Sequence, residues 1–262
     1  MQATILNTNE FKKLLDIVGS FDPMFNMKCS ENGIRFSCMD TSKTSVVTAT
    51  LPTDYFKSYA YSADTGQIEL GIKSDVVKSL FKSAGKKDLL HLNKDVKSDV
   101  LSLQFDGADS QTKWDMKLMD IITDELQIPD LESNIKCLLN ASLISNWQKR
   151  YTNTTGNALE FTPFPDKLVL TSAGDVGKVT TTLCPGDNFT ISKYKSPKSV
   201  SLSPHAIGLA SKINDLSDTC EIFWTNGAPV GVQCQFGNNG SICMFYAPVM
   251  GDSDDDAEMD DA

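Results

Sequence analysis

The same order of predicted elements occurs twice along this chain, on either side of an acidic stretch. Each half opens with a strand and a helix, continues through several short strands, and places a second helix before its last strands. The repetition concerns the pattern of elements and not the identity of the residues. Because two helices in each half must cover one face of an antiparallel sheet, the pattern predicts an α+β fold with two similar domains.

Four helices are predicted by apolar residues at helical spacing and by residues that favour helix ends. Asn9 is the predicted cap of the first helix, Gly85 ends the second, and Pro204 suits the first turn of the fourth. The predicted helices are Asn9 to about Val18, Ser74 or Asp75 to a stop at Gly85, Ala141 to about Tyr151, and Pro204 to about Ile213.

The acidic stretch between the halves begins where a strand pattern stops. Trp114, Met116 and Leu118 alternate with polar residues, which is typical of a half-buried strand. After Asp120 the residues show no sustained period, and Pro129 excludes a regular helix or central strand. We therefore predict domains at 1–119 and 134–250, a connecting loop at 120–133, and an acidic disordered tail at 251–262.

The connecting loop keeps apolar side chains although no core is evident around it. Leu126, Ile128 and Leu131 belong to this set. They either attach the loop to its own domains or line a groove for the apolar side chains of a partner. Composition alone favours the first interpretation and leaves the second open.

A net charge of −10 would by itself argue against a nucleic-acid partner, but the negative charge is unevenly distributed along the chain. The tail from Asp252 to Ala262 holds seven acidic residues and no basic residue, so it accounts for seven of the ten net negative charges. The rest of the chain is near balance, and such a body presents a positive face if its lysines are segregated.

The lysines concentrate on the predicted helices. On the first three helices and their flanks, basic residues outnumber acidic ones, although ordinary solvation explains each helix taken alone. Since almost all of the positive charge is lysine, which suits phosphates better than base edges, contact with DNA should be non-specific and salt-dependent. The candidate residues are Lys12, Lys13, Lys78, Lys82, Lys149, Arg150 and Lys212.

Catalysis has little support in the sequence. His91 and His205 lack a neighbouring nucleophile or carboxylate in a known arrangement, and no glycine-rich phosphate loop is present. The seven cysteines form an odd number without a Cys-x-x-Cys pair, which predicts reduced core thiols. We predict a non-enzymatic protein that needs no metal or cofactor. The first residues do not form a signal peptide, so we expect an intracellular protein.

Three stretches resemble one family in its order and spacing. Residues Met116 to Asp120, followed by Glu125 to Pro129, resemble the interdomain connecting loop of proliferating cell nuclear antigen, the eukaryotic DNA sliding clamp. Ser37 to Ser42, with the strand after it, resembles the strand and loop at that family's partner groove. Tyr246-Ala247-Pro248 before an acidic end resembles its C-terminus. The second half is more divergent than the first.

The resemblance implies a ring of three protomers around duplex DNA, in the nucleus or a viral replication compartment. The candidate lysines would lie on the inner wall. A DNA polymerase, an ATP-driven clamp loader, a flap nuclease and a ligase are the implied partners, and the ring would raise the processivity of the polymerase.

The resemblance also implies a groove for partner peptides of the type Gln-x-x-aliphatic-x-x-aromatic-aromatic. Phe245 stands where the family has Tyr, and Tyr246 where it has Leu, which changes the shape of the pocket. The positions matching the groove are Met39, Val46, Leu126, Ile128, Pro129, Pro229, Phe245, Tyr246, Ala247 and Pro248.

Subunit contacts are implied between two edge strands, predicted at Lys113 to Met119 and Lys178 to Leu183. The candidate interface residues are Trp114, Met116, Val179 and Thr181, with internal packing as the alternative for Trp114. Two other functions remain open. One is a monomeric or dimeric processivity factor of the same fold that does not encircle DNA, and the other is a hydrolase with an unrecognised site.

Overall fold

The computed structural model describes residues 1–62, 66–82, 84–85, 87–95, 98–122, 132–151 and 156–249. Within these residues the helices are α1 (Thr8–Phe21), α2 (Ser74–Leu80), α3 (Ser142–Tyr151) and α4 (Pro204–Ser211). The strands are β1 (Gln2–Ile5), β2 (Met24–Ser30), β3 (Gly33–Met39), β4 (Ser45–Pro52), β5 (Ser58–Ala60), β6 (Ile68–Lys73), β7 (Leu89–Asn93), β8 (Val100–Asp106), β9 (Gln111–Lys117), β10 (Ile135–Asn140), β11 (Leu159–Phe164), β12 (Lys167–Gly174), β13 (Gly177–Leu183), β14 (Phe189–Tyr194), β15 (Val200–Leu202), β16 (Thr219–Trp224), β17 (Val230–Phe236) and β18 (Gly240–Tyr246).

The helix ends follow local hydrogen bonding. The side chain of Asn7 accepts a hydrogen bond from the backbone N–H of Glu10 at 3.1 Å, so Asn7 caps α1 and the predicted cap at Asn9 is wrong. The helix continues to Phe21 because that side chain is buried in the core. Ser203 caps α4 in the same way, with Pro204 in its first turn as predicted.

The strands form three antiparallel sheets. A five-stranded sheet of the first half has the order β5-β1-β7-β8-β9, and a four-stranded sheet of the second half has the order β13-β12-β11-β15. The remaining sheet has nine strands, in the order β14-β10-β16-β17-β18-β4-β3-β2-β6, and takes five strands from the second half and four from the first. The two halves are therefore joined edge to edge in one continuous sheet.

The joint between the halves is the pairing of β18 with β4. Six residue pairs form it, from Ser241 opposite Thr50 to Tyr246 opposite Ser45. On the side away from this joint, β9 is an edge of the five-stranded sheet and β13 is an edge of the four-stranded sheet. Each half thus repeats one plan, a five-stranded unit ending in β9 or β18 and a four-stranded unit ending in β4 or β13.

The helices pack together on one side of the sheets. α1 contacts both α2 and α4, and α4 contacts α3, so helices of both halves form one layer. Large side chains such as Phe11, Phe36, Trp147 and Trp224 are fully buried in a single apolar core. Burial of such side chains contributes about 1.5 to 3 kcal/mol each, which makes this layer the main source of stability.

The thiols largely follow the sequence prediction. Cys29, Cys38, Cys137, Cys220 and Cys234 are buried and unbridged, whereas Cys184 is exposed. Burial raises the pKa of the Cys29 thiol to about 12, which makes it inert near neutral pH. Among the helices of the described residues, none combines the length and apolar character that crossing a membrane requires.

Candidate functional surfaces

Basic side chains gather on the helix layer. Lys12 and Lys13 lie on α1, and Lys78 projects into solvent from α2. The ammonium of Lys13 donates a hydrogen bond to the carbonyl oxygen of Asp215, 2.7 Å away, and so connects α1 to the 3₁₀ turn that follows α4. The two halves of the chain therefore meet at a basic residue.

Lys212 lies in the second half of the chain, in the 3₁₀ turn that Lys13 of the first half contacts. Burial lowers the pKa of its ammonium, the positive charge of Lys78 lowers it further, and Asp16 and Asp215 act in the opposite direction. α1 contacts both α2, which carries Lys78, and the 3₁₀ turn that begins at Lys212, so these lysines of the two halves lie on elements that flank one helix. The basic surface is continuous across the boundary.

The three remaining candidates extend this surface in both directions. Lys82 follows α2 and is exposed, and Lys149 and Arg150 are exposed in the last turn of α3. All the predicted basic residues thus lie on the helix layer or next to it. We call this set, from Lys12 to Lys212, the basic helix surface.

The opposite face of the nine-stranded sheet carries an apolar row. Cross-strand pairing places Met39 opposite Val46, and Val46 opposite Phe245. The three side chains are partly exposed, and their neighbours along each strand point to the helix side. Residues from β3, β4 and β18, far apart in sequence, therefore meet at one surface, which we call the apolar row.

The row continues onto two strands that sequence reasoning missed. Phe245 is opposite Gly231 on β17, and Gly231 is opposite Phe223 on β16. The rings of Phe223 and Phe245 lie edge to face, with centroids 6.1 Å apart. Alternation along β16 could have indicated that Phe223 is exposed on one face, but not which strands lie beside it.

One predicted groove residue lies on the other side of the sheet. Tyr246 is 0% exposed and stacks against Phe21 of α1, because adjacent residues of a strand point to opposite faces. The prediction that its side chain lines the groove is therefore wrong. Ala247 and Pro229 are exposed and Pro248 is partly so, and the N–H of Ala247 donates to Thr44 at 2.8 Å, which continues the pairing of β18 with β4.

A short loop beside the apolar row is held by one carboxylate. Asp40, 5% exposed, accepts hydrogen bonds from the N–H groups of Thr44 and Ser45 at 2.8 Å and from the hydroxyl of Ser42. Burial acts to raise the pKa of this carboxyl, but the hydrogen bonds outweigh it and hold the pKa below 3.8. The loop at residues 40–45 is thus fixed before any partner arrives.

The connecting loop is anchored at both of its described ends. Met119 forms an antiparallel bridge with Gly71 of β6, and the carbonyl of Ile121 accepts a hydrogen bond from Asn26 at 2.9 Å. At the other end, the carbonyl of Glu132 accepts from Thr225 at 2.9 Å. The predicted groove residues Leu126, Ile128 and Pro129 lie outside the described residues.

Two edge strands carry core-facing side chains that their own domains cover only in part. Trp114 lies on the core-facing row of β9, opposite the buried Leu103, yet it is 42% exposed. On β13, Val179 and Thr181 are opposite the buried residues Ser172 and Leu170 but are only half-buried themselves. Partly exposed side chains beside the core, at a strand edge with free backbone groups, are available for contact with another chain.

Met116 differs from the other predicted interface residues. It is only 6% exposed, and it pairs with the buried Leu101. Its side chain therefore belongs to the core, and only its backbone lies at the edge of the sheet.

Comparison with known proteins identifies this architecture. Residues 1–127 match the model of the family described as "Proliferating cell nuclear antigen, N-terminal domain". A proliferating cell nuclear antigen of Chaetomium thermophilum is 25% identical over 97% of this chain and 100% of its own length, and one of Caenorhabditis elegans is 25% identical over 99% of each. The crystal structure of the protein of this name from Entamoeba histolytica has a TM-score of 0.87 at 21% identity and covers 95% of this chain and 98% of its own.

The fold is therefore the two-domain clamp fold, with paired antiparallel sheets and two helices in each half. Residues 1–127 belong to the proliferating cell nuclear antigen family by this match, and the relatives that align over nearly the whole chain carry the same name. This assignment agrees with the prediction of a protein that acts without catalysis.

Proposed function

We propose that this chain is the protomer of a DNA sliding clamp, a ring of three that encircles duplex DNA and tethers replication and repair enzymes. The observation that carries the proposal is the repeated plan of the two halves. β18 pairs with β4 inside the protomer, and β9 and β13 are the matching edges of the other two sheets. Pairing of β9 with β13 of a neighbouring protomer would therefore repeat a joint that the chain already makes.

Such a contact is heterologous, because one protomer offers β9 and the next offers β13. Head-to-tail contacts form a closed ring when the rotation between neighbours allows it. The partly exposed side chains of Trp114 and Val179 would supply the apolar part of this interface, with Thr181 beside them. Both strands have seven residues, so a full-length ladder is available on each side.

The basic helix surface would line the hole of the ring. Lysine contacts to phosphate are weak, exchangeable and independent of base sequence, which suits a protein that slides. The ring does not need to grip DNA strongly, because escape requires a subunit contact to open. In this proposal the acidic net charge is no obstacle, since the lysines lie together on one face.

The apolar row and the loop at residues 40–45 would form the docking groove, together with Ala247, Pro248 and Pro229. Its occupants would be peptides with aliphatic and aromatic anchors, carried by a polymerase, a flap nuclease or a ligase, and an ATP-driven loader would open the ring. A protein with these partners would act in the nucleus or in a viral replication compartment.

Primer extension tests the proposal. With an ATP-driven loader and a polymerase on primed circular DNA, the protein should lengthen the products. On linear DNA with free ends the effect should be small, because a ring slides off. The variant Lys78→Glu/Lys82→Glu should lose most of the stimulation, whereas Lys57→Glu/Lys198→Glu, which changes two exposed lysines outside the helix layer, should retain it.

The mass of the assembly separates the two clamp-like functions. Sedimentation should give three times the protomer mass of 28.7 kDa. A protomer or dimer mass, combined with equal stimulation on circular and linear DNA, would instead support a non-encircling processivity factor. No stimulation under any of these conditions would reject both.

A further inference from the structure

Phe223 lies over Gly231 because glycine leaves room for its ring. A Cβ atom at Gly231 would overlap three ring atoms of Phe223, so no larger residue fits there with the ring in this position. The two residues are directly opposite on β16 and β17. The absence of a side chain on one strand therefore determines where an aromatic side chain of the next strand lies.

Two further neighbours contact the ring in this position. Phe245 contacts it edge to face, with an angle of 87° between the rings. The ammonium of Lys136 lies 5.7 Å from the ring centroid on the adjacent strand, and it is itself paired with Glu221 at 3.3 Å. Gln233 donates a hydrogen bond to the same carboxylate at 2.9 Å, so the lysine is fixed as well.

We propose that Phe223 is a specificity-determining residue of the docking groove, which it extends from β18 to β16 as an aromatic wall. This inference rests on the proposed function of the apolar row as a groove for partner peptides. The row from Met39 to Phe223 crosses five adjacent strands, about 19 Å at the usual strand spacing. The wall stands next to Phe245 and is continuous with the rest of the row.

The chemistry of the wall favours an aromatic occupant. Edge-to-face and offset contacts between aromatic rings add binding free energy beyond that of the buried area. An aliphatic side chain contributes only through the area that it buries. With two rings already perpendicular to each other, a third ring can contact the face of one and the edge of the other. Phe223 should therefore contribute more to a peptide with an aromatic pair than to the same peptide with leucines.

Fluorescence anisotropy with two labelled peptides tests this. One contains Gln-Ser-Ala-Ile-Ser-Ala-Phe-Phe, and the other has Leu-Leu in place of Phe-Phe. Phe223→Ala should lower the affinity for the aromatic peptide about three- to tenfold and the affinity for the leucine peptide less than about twofold. Phe164→Ala is the matched control, since that exposed ring also lies under a lysine, Lys167, at 5.1 Å. It should change neither affinity.

Gly231→Ala displaces the ring without removing it. It should lower the affinity for the aromatic peptide as much as Phe223→Ala does. The double variant should bind this peptide no more weakly than Phe223→Ala alone, because both changes act through one ring. Equal losses for both peptides, or no loss, would overturn the role of Phe223 and leave the groove intact. If the unaltered protein binds neither peptide, the proposed groove and this inference both fail.

Discussion

Val46 and Phe245 lie directly opposite each other on β4 and β18, although 199 positions separate them in sequence. Their side chains are on the outer face of the strand pair that joins the two halves of the chain. The proposed docking groove is therefore built on the joint itself, and it exists only when both halves are folded against each other.

Val46→Glu should weaken binding of the aromatic peptide at least about tenfold, because an unpaired carboxylate would be buried under the occupant. Thr50→Glu is the control, since Thr50 lies on the same strand and face, four residues away. Anisotropy measures both. Equal affinities for the two variants would locate the peptide elsewhere.

Trp114→Ala should destabilise the trimer by about 2 kcal/mol or more at each interface, as expected when a central tryptophan of an interface is removed. Sedimentation at decreasing protein concentration measures this. Tyr194→Ala is the control, because Tyr194 is 39% exposed and also lies on an edge strand, β14. If Trp114→Ala lowers the melting temperature and leaves the mass unchanged, the side chain packs internally and the interface lies elsewhere.

Charge reversal on the basic helix surface should weaken DNA binding equally for all sequences. For Lys13→Glu/Lys78→Glu, the removal of each lysine–phosphate ion pair should reduce the slope of log K against log salt by about 0.9. Filter binding at several salt concentrations gives the slope. An affinity loss restricted to certain sequences would contradict phosphate binding as the mechanism.

Asp40→Asn should lower the free energy of unfolding at neutral pH by about 1 to 3 kcal/mol, because the loop at residues 40–45 depends on hydrogen bonds to a charged carboxylate. The folded-state pKa of Asp40 is lowered, so its stabilisation is full above the unfolded-state value and is lost as the pH falls through the folded-state value. The difference between Asp40→Asn and the unaltered protein should thus shrink below pH 3.8.

Urea titrations at several pH values measure this difference. Asp166→Asn, in an exposed turn, is the control and should change the free energy of unfolding at neutral pH by less than about 0.5 kcal/mol. A difference that grows as the solution becomes more acidic would show that the carboxylate does not stabilise the loop.

Local sequence patterns predicted most helices and strands. The main errors concern a helix cap and the face of the sheet on which a side chain lies. The cap of α1 was placed at Asn9, two residues after Asn7, because both are asparagines and only the geometry shows which side chain reaches a free N–H. Tyr246 was grouped with Phe245 by a family motif, although alternation along β18 separates them. The prediction covered six of the seven residues of β13 but only five of the seven of β9, because that strand was predicted two residues too far along the chain.

Pairing between distant strands was beyond prediction from one sequence. Alternation shows which face a side chain occupies and does not show which strand lies beside it. The contact of Phe223 with Phe245 therefore emerged only from the structure, as did the contact of α1 with α4. Both depend on the single continuous sheet that unites the halves.

That continuous sheet restricts which strand pairing could separate if a ring of this protein opens. The joint of β18 with β4 lies within one polypeptide and shares a core with the helices. A joint of β9 with β13 would have the same strand pairing between two separate polypeptides. Loading onto a closed DNA circle would then require one contact between β9 and β13 of neighbouring subunits to separate. Each subunit would move as a rigid body.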